Sequence, residues 1–140
     1  VTDFNGPIIA EFRANGGVVT EAAPFGSNLV LLHSTGAKTG ADRVHPLMSF
    51  ADPAGWLIVA SKAGAPSDPV WAHNLRANPQ ASVEASDDGT IVTVDVTASE
   101  VPEPERSQLW EQVVAAAPGF GDYQVNAGDR IIPIFRLTRT

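Results

Sequence analysis

Three short apolar runs, 28–34, 43–51 and 56–60, follow one another with very little chain between them. The first, Asn28-Leu29-Val30-Leu31-Leu32-His33-Ser34, reads as a buried strand. A glycine-bounded loop, 36–40, separates it from the second run. Asp52-Pro53-Ala54-Gly55, a strong turn signal, separates the second from the third. Parallel strands need a crossover of a dozen or more residues, so runs this close pair antiparallel. The chain is thereby directed towards a meander and away from a doubly wound parallel sheet.

The remaining elements extend this pattern. A short amphipathic helix is predicted over 7–15, where Ile8, Ile9 and Phe12 recur at helical spacing before Gly16-Gly17. Asp68 stands where a helix N-cap would, with Pro69 at the first helical position, residues 70–77 as the helix and Asn78-Pro79 as its stop. Runs 81–86 and 90–97 flank the hairpin turn Asp87-Asp88-Gly89. Pro104 opens a helix to about 117, with Leu109, Trp110 and Val113 on one face. The Gly-, Pro- and aromatic-rich segment 118–128 reads as a loop. Residues 131–137 read as a closing strand in which Pro133 marks a bulge or an edge. The order is α-βββ-α-ββ-α-β. Six strands with few helices suit a small closed or half-open barrel, an α+β chain that is mainly β. Its 140 residues contain no repeat or linker, so one domain over 1–140 is expected.

Composition removes several classes of function. The chain has 9 Lys+Arg against 16 Asp+Glu, a formal net charge of −7, which disfavours a nucleic-acid partner. It has no cysteine, which excludes disulfides, thiol nucleophiles and thiolate metal sites. No apolar run approaches the roughly 18–20 residues of a membrane span. The start, Val-Thr-Asp-Phe-Asn-Gly-Pro, lacks the n- and h-regions of a signal peptide, so a cytoplasmic location is expected; without an initiating Met the true start stays open.

The two lysines are the chain's most suggestive residues. Lys38 lies in Thr35-Gly36-Ala37-Lys38-Thr39-Gly40, Lys62 in Ala60-Ser61-Lys62-Ala63-Gly64, and Arg43 closely follows the first loop. Backbone N–H groups and hydroxyls that form a nest, with cations to neutralise charge, are how a protein holds a phosphorylated small molecule. Two solvated hairpin loops are the other reading of the same residues. If they form a site, the two ammonium groups should meet at one mouth of the barrel. More specific motifs fail. Gly36-Ala37-Lys38-Thr39 lacks the first glycine of a P-loop and precedes a strand rather than a helix. No Gly-x-Gly-x-x-Gly supports a Rossmann site. His33, His45 and His73 form no His-x-x-x-His pair, so no metal is expected. Gly-x-Ser-x-Gly is missing.

Four segments together carry a family resemblance. They are Asp3-Phe4-Asn5 through Glu11-Phe12-Arg13-Ala14-Asn15-Gly16-Gly17; Thr35-Gly36-x-Lys38-Thr39-Gly40-x-x-Arg43-x-x-Pro46-Leu47; Ala60-Ser61-Lys62-x-Gly64-x-x-x-Asp68-Pro69-x-Trp71-x-x-Asn74-Leu75-x-Ala77-Asn78-Pro79; and Asp129-Arg130-x-Ile132-Pro133-x-Phe135-x-Leu137. The chain resembles, nearly end to end, the deazaflavin-dependent nitroreductase family of actinobacteria. The resemblance implies a six-stranded antiparallel split β-barrel, of the FMN-binding type with peripheral helices, and coenzyme F-420, a deazaflavin carrying a phosphate and an oligoglutamate tail.

The resemblance also implies roles. Lys38 and Arg43 match the residues that hold the phosphate and acidic tail, with Thr39 as a hydroxyl donor. The second basic residue usual before that lysine is Ala37 here, which implies one contact fewer. His45 and Pro46 match the strand that lines the cofactor; His45 reads equally as an ordinary sheet residue. Ala60, Ser61, Lys62, Ala63 and Gly64 match the loop along the ring, whose N–H groups can bond its polar edge; Gly64 suits close approach or simply a turn. Trp71 would stack over the cofactor or line the pocket mouth, or else pack in the core; Pro69 is a candidate cofactor contact, although Asp68-Pro69 fits a cap better. Asn74 would fix a loop backbone. Ala72 replaces the family's usual Tyr and widens the space there. Tyr123, the sole tyrosine, falls where relatives carry aromatic substrate-pocket residues. It would donate a proton or orient the substrate, or else pack as a surface-loop aromatic.

The implied activity is hydride transfer from reduced F-420 to an electron-poor acceptor: an activated alkene such as an unsaturated lactone or coumarin, a quinone, or a nitro compound, with the first class preferred over nitro groups. The alternative is a non-catalytic carrier of F-420, FMN or haem, and a third is a structural domain. Pairing into homodimers and peripheral contact with a membrane stay open.

Overall fold

The computed structural model describes residues 5–23 and 26–140. Asp3 and Phe4 of the first matched segment lie outside the described residues, as does the side chain of Ala63. The elements are α1 (Asn5–Ala14), β1 (Leu29–Thr35), β2 (Asp42–Asp52), β3 (Gly55–Val59), a 3-10 turn (Lys62–Gly64), α2 (Val70–Ala77), β4 (Gln80–Asp87), β5 (Thr90–Glu100), α3 (Glu105–Ala116), α4 (Gly119–Ala127) and β6 (Ile134–Arg139). The strands close into a barrel in the order β1-β2-β3-β6-β5-β4, every pair antiparallel. Closure removes the unpaired edges that an open meander would expose. Among the described residues no helix is long and apolar enough to cross a membrane.

Alternation along the strands sorts the core. Val30 and Leu32 of β1, Ile58 of β3, Val83 of β4, Val96 of β5 and Phe135 and Leu137 of β6 fill the barrel, where they meet Trp71, Ala72 and Leu75 of α2. The opposite face of β1 carries Leu29 and Leu31, covered by Phe12 of α1. Leu57 and Val59 of β3 and Ile134 of β6 also face outward, onto Val113 of α3 and Phe120 and Ala127 of α4. α2 thus plugs the barrel, α1 covers one outer face, and α3 and α4 cover another.

Several expectations are corrected. Segment 118–128 is a helix, because Phe120, Tyr123 and Ala127 bring one face onto the sheet and tertiary burial outweighs the poor helix propensity of two glycines. Asp68 does not cap α2. Pro69 is the N-cap residue, one position before the helix, and no side chain caps the end; the Asp68 carboxylate is drawn to Arg76 and Arg130 instead. Residues 131–133 precede the last strand, so Pro133 is neither bulge nor edge; its carbonyl accepts the Ala60 N–H at 2.9 Å.

Candidate active site

The start of α2 separates two concavities. The first, about 360 Å³, has an apolar side formed by Leu47 and Met48 of β2, Val59 of β3, and Phe120 and Tyr123 of α4. Its more polar side carries His45, Ser61, Lys62, Pro69, Trp71 and Asn5. The second, of similar volume, is formed by the β1–β2 loop and α2: Gly36, Ala37, Lys38, Thr39, Arg43, Val70, His73 and Asn74. Lys38 and Lys62 therefore do not share one mouth, as the sequence suggested. They line neighbouring concavities, and consecutive residues of one chain segment, Pro69 to Trp71, separate the two. The cause is α2 itself, which is wedged into the barrel end by Trp71, Ala72 and Leu75.

The cations divide in a telling way. Arg13 is paired with Glu84, Arg76 with Asp68 and Glu100, Arg130 with Asp68, and Arg136 with Asp52 and Glu105. Arg106 donates to the Ile132 carbonyl and Arg139 lies over the Trp56 ring. Among the described residues, only Lys38, Arg43 and Lys62 have no carboxylate, carbonyl or ring partner. In a chain with 16 acidic residues, three cations left free of them make a field that favours an anion.

The backbone adds donors. Within the β1–β2 loop, the Gly36 and Gly40 amides close the turn, and the Ala37 N–H donates to Asn74 Oδ1 at 2.9 Å. The Lys38 and Thr39 amides find no acceptor among the described residues, nor do those of Ser61 and Lys62. Asn74 fixes the loop backbone from α2, and its Nδ2, buried at the floor of the second concavity, has no partner. His45 Nδ1 is likewise buried and unpartnered beside the first. Burial, then the nearby Arg43 charge, holds the His45 pKa below its ordinary value, so the ring is neutral at pH 7.

Ala60 and Gly64 lie behind this surface. Ala60 is fully buried and its N–H goes to the Pro133 carbonyl, so that amide is not available to a ligand. Gly64 (φ +81) does make a close approach, but to α4: an added Cβ would sit 2.6 Å from the Tyr123 carbonyl oxygen. Tyr123 is anchored edge-on to Phe120, ring centroids 5.4 Å apart, and Phe120 in turn to Phe50 at 5.8 Å. Trp71 is buried edge-on against Phe135 at 5.7 Å while still contributing to the cavity wall. Met48 and Val59 were not singled out from the sequence, whereas Leu47 stands in the second matched segment and Phe120 in the aromatic segment that the resemblance placed at the substrate pocket. His73 and Val70 escaped because only the position of α2 brings them to the crevice.

These donors fit an elongated ligand with a polar ring at one end and negative charge at the other. Two adjoining concavities with, among the described residues, four free amides and three free cations supply the donors for it. Among the described residues no group of three or more His, Cys, Asp or Glu is placed to hold a metal.

A small closed antiparallel barrel of this order defines a class, the split-barrel proteins. Within it, residues 8–139 match the model of the F420H2-dependent quinone reductases, and the chain belongs to that family of oxidoreductases, whose hydride donor is reduced coenzyme F-420. It is 36% identical over 131 residues to an F420H2-dependent quinone reductase of Mycobacterium tuberculosis, covering 93% of this chain and 86% of that protein. Among solved structures it is similar to an F420-H2 dependent reductase (38% identity, TM-score 0.67, covering 79% of this chain and 93% of that one). It is also similar to a chain described as a domain-swapped dimer (34%, TM-score 0.70, covering 94% and 95%). The haem storage protein HutZ of Vibrio cholerae shares the fold at 22% identity and TM-score 0.58, covering 96% of this chain and 89% of that one.

Proposed function

We propose that this chain reduces quinones, and other electron-poor acceptors with a conjugated carbonyl such as unsaturated lactones, at the expense of reduced F-420. The single observation that carries the reading is the set of three cations without chain partners, Lys38, Arg43 and Lys62, around the start of α2. Lys38, Arg43 and the Thr39 hydroxyl hold the phosphate and acidic tail in the second concavity. Asn74 keeps the loop in shape to do so. Ser61 and Lys62 offer their amides to the polar edge of the ring in the first concavity, with His45, Pro46, Pro69 and Trp71 as its other walls.

Bound there, reduced F-420 supplies a hydride, and the protein supplies position and field. A quinone that accepts a hydride gains one hydrogen and an electron pair, and it needs one proton on oxygen to become the hydroquinone. Tyr123 brings the phenol into the cavity, on the apolar wall where a flat carbonyl compound would lie, and it donates that proton. Neutral His45 presents no competing positive charge to the ring. We read residues 1–140 as one reductase domain and, by extension from the domain-swapped relative, expect it to pair with a second copy; light scattering checks the latter.

The test is anaerobic mixing of the protein with reduced F-420 and, in turn, menadione, a coumarin and a nitroimidazole, following the return of the oxidised cofactor's absorbance. Oxidation by menadione and the coumarin, with the nitro compound slower, is the expected result. Binding of F-420 with no oxidation by any acceptor would leave a carrier, and no binding would remove the reading.

A further inference from the structure

Arg130 lies just beyond α4 and uses its guanidinium four ways. Nε donates to the Ala65 carbonyl at 2.9 Å, Nη2 to the Ser61 carbonyl at 2.8 Å, and Nη1 to the Ala60 carbonyl at 3.1 Å and to Asp68 Oδ1 at 2.6 Å. One planar fork therefore gathers three carbonyls of segment 60–65, which walls the first concavity through Ser61 and Lys62. The segment is also tied by the Ala60 N–H to the Pro133 carbonyl and by the packing of Gly64 on α4. Its internal bonds are Gly64 N–H to Ser61 O and Ala65 N–H to Lys62 O, each closing a single tight turn. Lys62 sits at φ +47, in the left-handed region that costs a side-chain-bearing residue, so the turn needs external support.

That support extends across the barrel. Asp68 takes Arg130 on one carboxylate oxygen and Arg76 on the other, and Arg76 forks onto Glu100. β5, α2 and the α4–β6 connection are thus coupled through four charged side chains to the backbone of the cavity wall. Arg130 does not line the cavity. Its side chain is only 13% exposed and its donors are spent on the chain itself. A lysine carries three donors on one nitrogen and cannot span three carbonyls in a plane.

We propose that Arg130 is a positioning residue: it holds segment 60–65 so that the free Ser61 and Lys62 amides and the Lys62 ammonium face the ring of the bound cofactor. The ligand's identity rests on the proposed function; the clamp on the loop does not. The clamp acts on binding, so its loss should raise the Kd for F-420 and the KM for its reduced form with little change in kcat.

The full chain is compared with R130Q, R130K and D68N by two measurements. The first, with no cofactor present, is hydrogen exchange at the Gly64 and Ala65 amides. R130Q should exchange there about 10-fold faster or more, while β1 and β4 amides keep their rates. The second is titration with oxidised F-420 and steady-state kinetics with its reduced form and menadione. R130Q should lose about 10-fold or more in affinity, R130K somewhat less, and D68N less again, because it removes the partner that orients the guanidinium but leaves the fork. Unchanged exchange at Gly64 and Ala65 overturns the clamp, as does acceleration spread evenly over the barrel. Local acceleration with unchanged cofactor affinity overturns the link to binding. If R130Q does not fold, D68N decides by the same pattern. If the parent chain binds no F-420, the proposed function falls while the exchange measurement still decides whether Arg130 holds the loop.

Discussion

Replacing Gly64 by Ala tests how rigidly the cavity wall is packed, and Gly89 provides the control. The two glycines have nearly the same φ, +81 and +84. A side-chain-bearing residue in that region costs about 1–2 kcal/mol, and each substitution recovers the same ~0.4–1 kcal/mol from a less flexible unfolded chain. They differ in what a Cβ would meet. At Gly89 nothing lies within 4 Å. At Gly64 the Tyr123 carbonyl oxygen lies at 2.6 Å, the Asn126 Cβ at 2.8 Å and the Tyr123 Cα at 3.1 Å, and two of these three are helix backbone that cannot rotate away. Overpacking of this kind costs about 1–3 kcal/mol. Subtracting G89A from G64A cancels the conformational part, so the extra loss in G64A should be about 1–3 kcal/mol. Urea unfolding followed by far-UV circular dichroism measures it, with the slopes compared to confirm that the same surface is exposed. Because relief requires α4 to move off the 3-10 turn, G64A should also bind F-420 more weakly, and G89A should not. A stability difference below about 0.5 kcal/mol would show that α4 gives way freely and that the wall is not held as described.

Lys38→Ala removes a free cation from the second concavity and should weaken F-420 binding by about 1–3 kcal/mol, read by fluorescence titration, with no change in thermal stability because Lys38 has no partner to lose among the described residues. Tyr123→Phe keeps the aromatic packing against Phe120 and should lower kcat by about 10²–10⁴-fold while the cofactor Kd stays as it was; an unchanged kcat assigns the proton to water. The hydrogen bond from Arg13, opposed by burial and aided by His33, holds the Glu84 pKa below the ordinary carboxylate value. Its stabilising contribution is therefore complete above the unfolded pKa and is lost as pH falls through the lower folded one. Glu84→Gln should flatten the acid limb of a stability–pH curve and leave the neutral limb parallel, with only a modest loss at pH 7, since Arg13 is half exposed.

The barrel was legible because its information is local. Asp52-Pro53-Ala54-Gly55 and Asp87-Asp88-Gly89 fix where strands turn, turns this tight admit only antiparallel neighbours, and all six strands fall within about three residues of expectation. α4 was hidden by Pro118, Gly119 and Gly121, although the spacing of Phe120, Tyr123 and Ala127 marked an apolar helical face in the same segment. The fate of Asp68 was not legible. A cap is a relation to the next three residues, whereas the arginines that claim this carboxylate lie 8 and 62 residues away and arrive only when the chain has folded. The same limit explains the lysines. Glycine-flanked cations after apolar runs pointed to an anion, but whether they open onto one crevice or two depends on how far α2 enters the barrel, which no local pattern records.

The depth of α2 also explains why there is a cavity at all. The inward face of the strands and the helix residues Trp71 and Leu75 form one apolar cluster; the outward faces of β3 and β6 with α3 and α4 form another. Along most of β3 the two are separated by a single sheet, Ile58 on one side and Leu57 and Val59 on the other. At the end of β3 the sheet stops, and the chain turns through Ser61 and Lys62 before reaching α2. There Trp71 of the first cluster and Val59, Met48, Phe120 and Tyr123 of the second line one space, the first concavity. Its apolar lining draws on both cores, and its polar lining includes Ser61 and Lys62 of the connecting turn, which Arg130 bonds at the Ser61 carbonyl. On the binding mode proposed above, a flat, partly apolar ring would lie in this gap and its charged appendage would pass α2 towards Lys38 and Arg43. That order, ring inside and anion outside, would then be set by where β3 ends and α2 begins.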